Sequence, residues 1–150
     1  MRVAIGADHR GYALKEFLKR YLRDKNVDVV DYGTDSESSA DYPDFARPVA
    51  ESVAHGDADA GITVCWTGNG MNIAANKVHG VRAALLMNAE MAELSRAHNN
   101  ANVASLAAKY ITENEARDII DRFLETKFEG GRHATRLNKI EAIESVKPAH

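Results

Sequence analysis

Five short apolar runs, at residues 3–5, 27–32, 62–64, 83–86 and 103–106, alternate with stretches of helical periodicity along a chain of 150 residues. That alternation constrains the fold more than any other feature. Each run has the length of a strand, and each is followed by enough chain for a helical crossover. The strands are therefore expected to lie parallel, with helices on both faces. Between residues 12 and 23, Leu14, Phe17, Leu18, Tyr21 and Leu22 fall on one helical stripe. A second helix is expected from Asp41-Tyr42-Pro43, with the proline in its first turn, to about Ala54, where His55-Gly56-Asp57 stops it. Shorter helices are expected over 73–77 and 89–97. Thr112-Glu113-Asn114-Glu115 has capping-box spacing and opens a helix with Ile119, Ile120, Phe123 and Leu124 inward. A last helix covers about 134–145, after Gly130-Gly131. The length suits one domain, a three-layer α/β/α sandwich on a five-stranded parallel sheet.

Composition narrows the function. Apolar residues make up 45% and charged residues 27%, which supports a packed core. A net charge of −3 argues against nucleic acid or an anionic membrane as partner. The single cysteine, Cys65, excludes an intramolecular disulfide and points to a reducing, cytoplasmic location. The first residues lack the pattern of a secretory leader, and no apolar run approaches the ~18 residues of a membrane span.

Sheets of this kind bind ligands beyond the carboxyl ends of their strands, where the strand order reverses. The expected order sets the first and third strands side by side there, so the loops at 7–11 and 65–70 carry the chemistry. Asp8-His9 reads either as a helix cap with a surface histidine, or as a carboxylate and imidazole for a ligand hydroxyl and phosphate. Cys65-Trp66-Thr67-Gly68-Asn69-Gly70 reads either as a buried cysteine before a turn, or as a thiol facing backbone N–H groups that favour a thiolate and an anion. A Cys-x5-Arg phosphatase loop is excluded because position 71 is Met71. A Walker A loop is absent, and Ile73 occupies the third glycine position of a dinucleotide fingerprint. Neither a His-Glu-x-x-His helix nor a zinc-type cysteine pair occurs.

Three further features stand apart. His98 ends a helix and leads into the fifth strand, so within one chain it lies at the opposite sheet end from Cys65. If both are catalytic, a second subunit must bring its His98 to the site. Arg132 and Arg136, at i and i+4, form either a solvated basic turn or a phosphate fork, which Lys109 can join. Tyr42 is expected to pack the loop beside Pro43, and His55, His79 and His150 to be surface residues.

Gly6-Ala7-Asp8-His9, Asp41-Tyr42-Pro43, Cys65-x-Thr67-Gly68-x-Gly70, Ile73-Ala74-Ala75-Asn76-Lys77, Ser95-Arg96-x-His98-Asn99 and Gly130-Gly131-Arg132-His133 occur in this order. The set resembles the ribose-5-phosphate isomerase type B family, which also holds the galactose-6-phosphate isomerase subunits. The resemblance runs from Arg2 to about Glu144. It implies a flavodoxin-like or Rossmann-like domain, a homodimer that sometimes pairs into a tetramer, sites built from both subunits, and no metal or organic cofactor. The last helix is then expected at the subunit interface. The resemblance also implies roles. Cys65 is the base that moves a proton between C1 and C2, and His98 opens the furanose ring. Asp8, Thr67, Asn99 and the loop of Gly68, Asn69 and Gly70 contact the sugar and the enediolate. His9, Arg132 and Arg136 hold the phosphate.

Four positions depart from the family pattern. Trp66 stands where many members have Gly, Lys109 where many have Arg, Asn72 where Ser is common and Asn100 where Asp is common. One subgroup places a glutamate base at the position of Met71 and lacks the cysteine; here the cysteine is present. The expected activity is isomerisation of ribose 5-phosphate to ribulose 5-phosphate, with Trp66 and Lys109 among the substrate contacts. The alternatives are a hexose or tetrose phosphate as substrate and a non-catalytic nucleotide-binding module. A thiol of ordinary pKa is a weak base at neutral pH, so the helix start after Gly70 is expected to lower it.

Overall fold

The computed structural model describes residues 1–146; His150 lies outside them. Five strands alternate with the helices: β1 (Arg2–Ala7), α1 (Tyr12–Asp24), β2 (Asp28–Asp31), α2 (Pro43–Ala54), β3 (Ala60–Cys65), α3 (Asn69–Ala75), β4 (Ala83–Leu85), α4 (Ala89–Asn99), β5 (Val103–Ala107), α5 (Glu113–Glu125) and α6 (Arg132–Glu144). All strand pairs are parallel, in the order β2-β1-β3-β5-β4. The chain reverses its direction of travel across the sheet between β1 and β3, as expected. The outer strands follow their burial. All five residues of β5 are buried and take the inner place, whereas the three half-buried residues of β4 take the edge.

Alternation along each strand sorts the two faces. Val3, Ile5, Ile62, Val64 and Leu106 face a core shared with Leu14, Leu18 and Leu22 of α1, Ala92 of α4, and Ile119, Ile120 and Phe123 of α5. The opposite face is built from smaller residues, which lets α2 approach closely. Ala4 meets Val49, and Val103 meets Ala50 and Ala75. A Cβ on Gly61 would lie 2.9 Å from Val49 Cγ1, so any larger residue there pushes α2 away.

Helix ends follow local chemistry. The capping box of α5 forms: Thr112 Oγ1 accepts the Glu115 N–H at 3.1 Å, and Glu115 Oε2 accepts the Thr112 N–H at 2.7 Å. Pro43 opens α2 as expected. Two starts differ from the sequence reading. α3 begins at Asn69, inside the glycine loop, because Gly68 takes a left-handed φ of 79° and turns the chain at once into the helix. α6 begins at Arg132, because Gly131 is the residue that leaves helical geometry.

Candidate active site

The carboxyl ends of β1 and β3 place the two loops beside each other. The Asp8 N–H donates to Val64 O at 3.3 Å, and the Thr34 N–H donates to Ala7 O at 2.7 Å. Cys65 ends β3 and is 4% exposed, packed against Ala46 and Met71. The backbone N–H groups of Met71, Gly68 and Gly70 act on its thiol electrostatically. These favour the thiolate but do not prevail. Burial pushes the thiol above its ordinary 9.0, and the Asp8 carboxylate adds to the rise. The sequence-based expectation of a lowered thiol pKa is therefore corrected for the free chain. The loop supplies donors, and desolvation outweighs them.

Asp8 Oδ1 accepts the N–H groups of Arg10 and Gly11, both at 3.0 Å. The carboxylate thus ties the turn ahead of α1 rather than capping the helix itself, since the N-cap position is Gly11. Both bonds fall on one oxygen, which leaves Oδ2 for a ligand hydroxyl. His9 Nδ1 accepts the Ala40 N–H at 3.2 Å and anchors the loop that leads to α2. With Nδ1 accepting, the neutral ring carries its proton on Nε2. Asp8, His9 and residues 40–44 line a cleft of about 430 Å³. A hollow of about 570 Å³ between α2 and α3, lined by Arg47, Glu51 and Lys77, contains none of the residues singled out for chemistry.

Tyr42 reaches further than the sequence reading placed it. A Cβ on Gly70 would lie 2.8 Å from Tyr42 Cζ, so the phenol ring lies on the glycine loop. Thr67 is exposed at the loop tip, and its Oγ1 receives the Asn69 N–H at 3.4 Å. Trp66 is 40% exposed and carries two cations, with Arg10 Cζ 5.0 Å and Lys109 Nζ 5.9 Å from its ring. Among the described residues neither cation pairs with a carboxylate. The mouth of the loop is therefore aromatic and positive.

The other half of the expected site lies elsewhere. β3 and β5 run in register from Gly61↔Val103 to Cys65↔Ala107. His98 lies in the last turn of α4, ahead of Val103. Four strand steps separate the two ends of this ladder by about 13 Å. At the far end His98 stacks on His133, with centroids 4.4 Å apart and planes 12° apart. His133 Nε2 is buried without a hydrogen-bond partner, and its nearest carboxylate oxygen, Glu129 Oε2, is 3.6 Å away. Burial, then Arg132 and His98, push the His133 imidazole below its ordinary value. Arg132 and Arg136 stand exposed on the same helix as His133. Asn99 lines a hollow of about 350 Å³ with Arg82, Leu137, Ile140 and Ile143. His98, Glu129 and His133 bring three metal-ligating atoms within 4.8 Å of one another. The near-parallel rings direct their lone pairs side by side rather than at one point, which suits a metal held at about 2.0–2.1 Å poorly.

A family model described as ribose/galactose isomerase matches residues 3–140. The chain belongs to that family. It is 48% identical over 139 residues to a putative sugar phosphate isomerase of Rickettsia bellii, covering 93% of this chain and 96% of that protein. The structure of ribose-5-phosphate isomerase B from Clostridium thermocellum is similar with a TM-score of 0.95 at 48% identity, covering 96% of this chain and 97% of that one. Ribose-5-phosphate isomerase B from Mycoplasma genitalium, solved with bound ribulose 5-phosphate, is similar with a TM-score of 0.93 at 43% identity, covering 97% of each chain.

In this ribose/galactose isomerase the expected residues thus fall into two groups. Asp8, His9, Cys65, Trp66, Thr67, Gly68, Asn69, Gly70 and Lys109 gather at the carboxyl end of the sheet. His98, Asn99, Arg132 and Arg136 gather at the amino end. Three contacts were not read from the sequence. Arg10 lies on Trp66, Tyr42 lies on Gly70, and His133 lies on His98. Tyr42 and His133 carried a signal, as members of the runs Asp41-Tyr42-Pro43 and Gly130-Gly131-Arg132-His133 already singled out.

Proposed function

We propose that the protein is an aldose–ketose isomerase of phosphorylated sugars that converts ribose 5-phosphate to ribulose 5-phosphate through an enediolate. The observation that carries this reading is the thiol of Cys65 at the end of β3, facing three backbone N–H groups and flanked by Asp8. It occurs in a chain 43% identical to an isomerase solved with ribulose 5-phosphate.

The reaction begins with a closed furanose. His98 gives a proton to the ring oxygen, the C1–O4 bond breaks with its electron pair going to O4, and the O1 proton leaves to form the aldehyde. The Cys65 thiolate then takes the proton from C2, and charge moves onto O1 to give the enediolate. Return of a proton to C1 and loss of the O2 proton give the ketose. A positioned base contributes typically ~10²–10⁴-fold. Asp8, Thr67 and Asn99 orient the hydroxyls. His9, Lys109, Arg132 and Arg136 hold the phosphate and convert its binding into orientation at the distant carbons.

Because Cys65 and His98 lie at opposite sheet ends, the working form is a homodimer in which His98, Asn99, Arg132 and Arg136 of one copy complete the site of the other. The exposed apolar face of α6, Ile140 and Ile143, supplies the contact that brings the copies together. Cations from a second copy also oppose the burial that raises the Cys65 pKa. A free thiol as base fits a reducing, cytoplasmic location. Among the described residues no helix is long and apolar enough to cross a membrane.

Trp66 with Arg10 and Lys109 favours a second reading, a hexose or tetrose phosphate as the preferred substrate, because the positive aromatic mouth bounds the substrate's length. The test is kcat/KM on ribose 5-phosphate, allose 6-phosphate, galactose 6-phosphate and erythrose 4-phosphate, each with a Cys65→Ala control. The expected result is preference for the pentose, with turnover abolished and binding near normal in the control. Best turnover of another sugar moves Trp66, Arg10 and Lys109 to the centre of specificity. Wild-type turnover in the control removes Cys65 as base.

A further inference from the structure

Arg96 precedes His98 by two residues and is half-buried at the end of α4. Its Nη1 donates to Ala101 O and to Asn100 Oδ1, the latter at 3.2 Å. Its Nε donates to Thr126 O at 3.4 Å, and its guanidinium lies 5.6 Å from the Phe123 ring centroid. Among the described residues it has no carboxylate partner. Asn100, the C-cap, sits at a left-handed φ of 45°, and its backbone oxygen is held by Arg82 Nε at 2.9 Å. The Glu129 N–H donates to Ala97 O at 3.0 Å. The carbonyl oxygens of Ala97, Asn100 and Ala101 around His98 are therefore held from outside the helix or by Arg96, while the imidazole stacks on His133.

The anchors are not local to α4. Thr126 ends α5 and starts the segment that runs through Glu129 to the first turn of α6, where His133 sits. One planar fork thus binds the turn carrying His98 to the segment carrying its stacking partner. A lysine cannot reproduce this, because it offers a point charge rather than a fixed fork.

We propose that Arg96 is a positioning residue for furanose ring opening, fixing the His98–His133 stack by clamping the end of α4 to the segment between α5 and α6. The inference rests on the isomerase reading above, in which His98 delivers the proton to the ring oxygen. Misplacing such a group by ~1 Å costs about 10²-fold in rate.

The experiment separates ring opening from proton transfer. Ribulose 5-phosphate is acyclic, because the hydroxyl that would close its ring carries the phosphate. Exchange of solvent deuterium into its C1, measured at saturating ketose, therefore needs proton transfer at Cys65 in the bound complex and no ring opening. Arg96→Lys, Arg96→Ala and His98→Asn are compared for turnover of ribose 5-phosphate and for this exchange. Arg96→Lys keeps charge and bulk if Arg96→Ala fails to fold. The expected result is a fall of about 10²-fold in aldose turnover in the Arg96 variants, with exchange at the wild-type rate. An equal fall in both readouts overturns the proposal in favour of a general structural role. So does unchanged aldose turnover in the Arg96 variants while His98→Asn loses it. Wild-type turnover in His98→Asn instead overturns the ring-opening reading itself, and the positioning role with it.

Discussion

Cys65 shows how far a residue's chemistry is set by its surroundings. Its place was legible, because a cysteine that ends a strand before Gly68 and Gly70 meets the backbone N–H groups of that turn, although the sequence left a merely buried cysteine as the other reading. Its pKa direction was not, because burial against Ala46 and Met71 is a tertiary property. The same holds for Tyr42 and Arg10, whose targets lie far away in sequence. The raised pKa has a measurable sign. At neutral pH burial keeps Cys65 as a thiol in the free chain, so its rate of alkylation there climbs with pH through the ordinary value of 9.0. Asp8→Asn removes a charge that opposes the thiolate. Alkylation of Cys65 by iodoacetamide in that variant should reach half its maximal rate at lower pH than in the wild type. An unchanged or higher midpoint would remove Asp8 from the electrostatics of the base.

Elements with a local code were read correctly. The α5 capping box needs only Thr112 and Glu115, and Pro43 at the start of α2 needs only its own ring. The edge position of β4 and the start of α3 depend on competition between strands and on the conformation of Gly68, which sequence periodicity does not express. The α1 stripe hid another feature. Lys15, which interrupts it, is fully buried, and its Nζ donates to Asp31 Oδ2 at 2.7 Å and to Glu16 Oε1 at 3.0 Å. Lys19 bonds the same two carboxylates, at 2.8 and 2.7 Å, and Asp31 Oδ1 also accepts the Gly33 N–H at 2.9 Å. The network therefore joins α1 to the end of β2 and to the loop bearing Ala40 and Tyr42.

Burial raises the Asp31 and Glu16 pKa values, but the lysine bonds outweigh it and hold both carboxyls below their ordinary range. A depressed carboxyl pKa stabilises the fold above the unfolded value of about 4 and loses that contribution as pH falls through the folded value. Urea unfolding should show the wild type weakening from about pH 4 downward. Lys15→Met should show a shallower acid slope from a lower starting stability. Identical slopes would mean that Lys15 does not set these carboxyls.

At the scale of the molecule, the candidate residues of one chain fall into two groups, which the proposed function reads as two half-sites. Cys65, the glycine loop and the positive aromatic mouth lie at one end of the sheet, and the stacked histidines with Arg132 and Arg136 at the other. This separation was legible because topology alone dictates it: a residue ending a strand and a residue leading into its parallel neighbour cannot meet. The apolar face of α6 and the shared chemistry both point to a second copy. The most direct test mixes Cys65→Ala chains with His98→Asn chains and assays purified mixed dimers with ribose 5-phosphate. Each such dimer holds one site with both intact residues and one with neither. The predicted result is two inactive parents and a hybrid with half the wild-type activity. A hybrid as inactive as its parents would contradict a site shared between subunits.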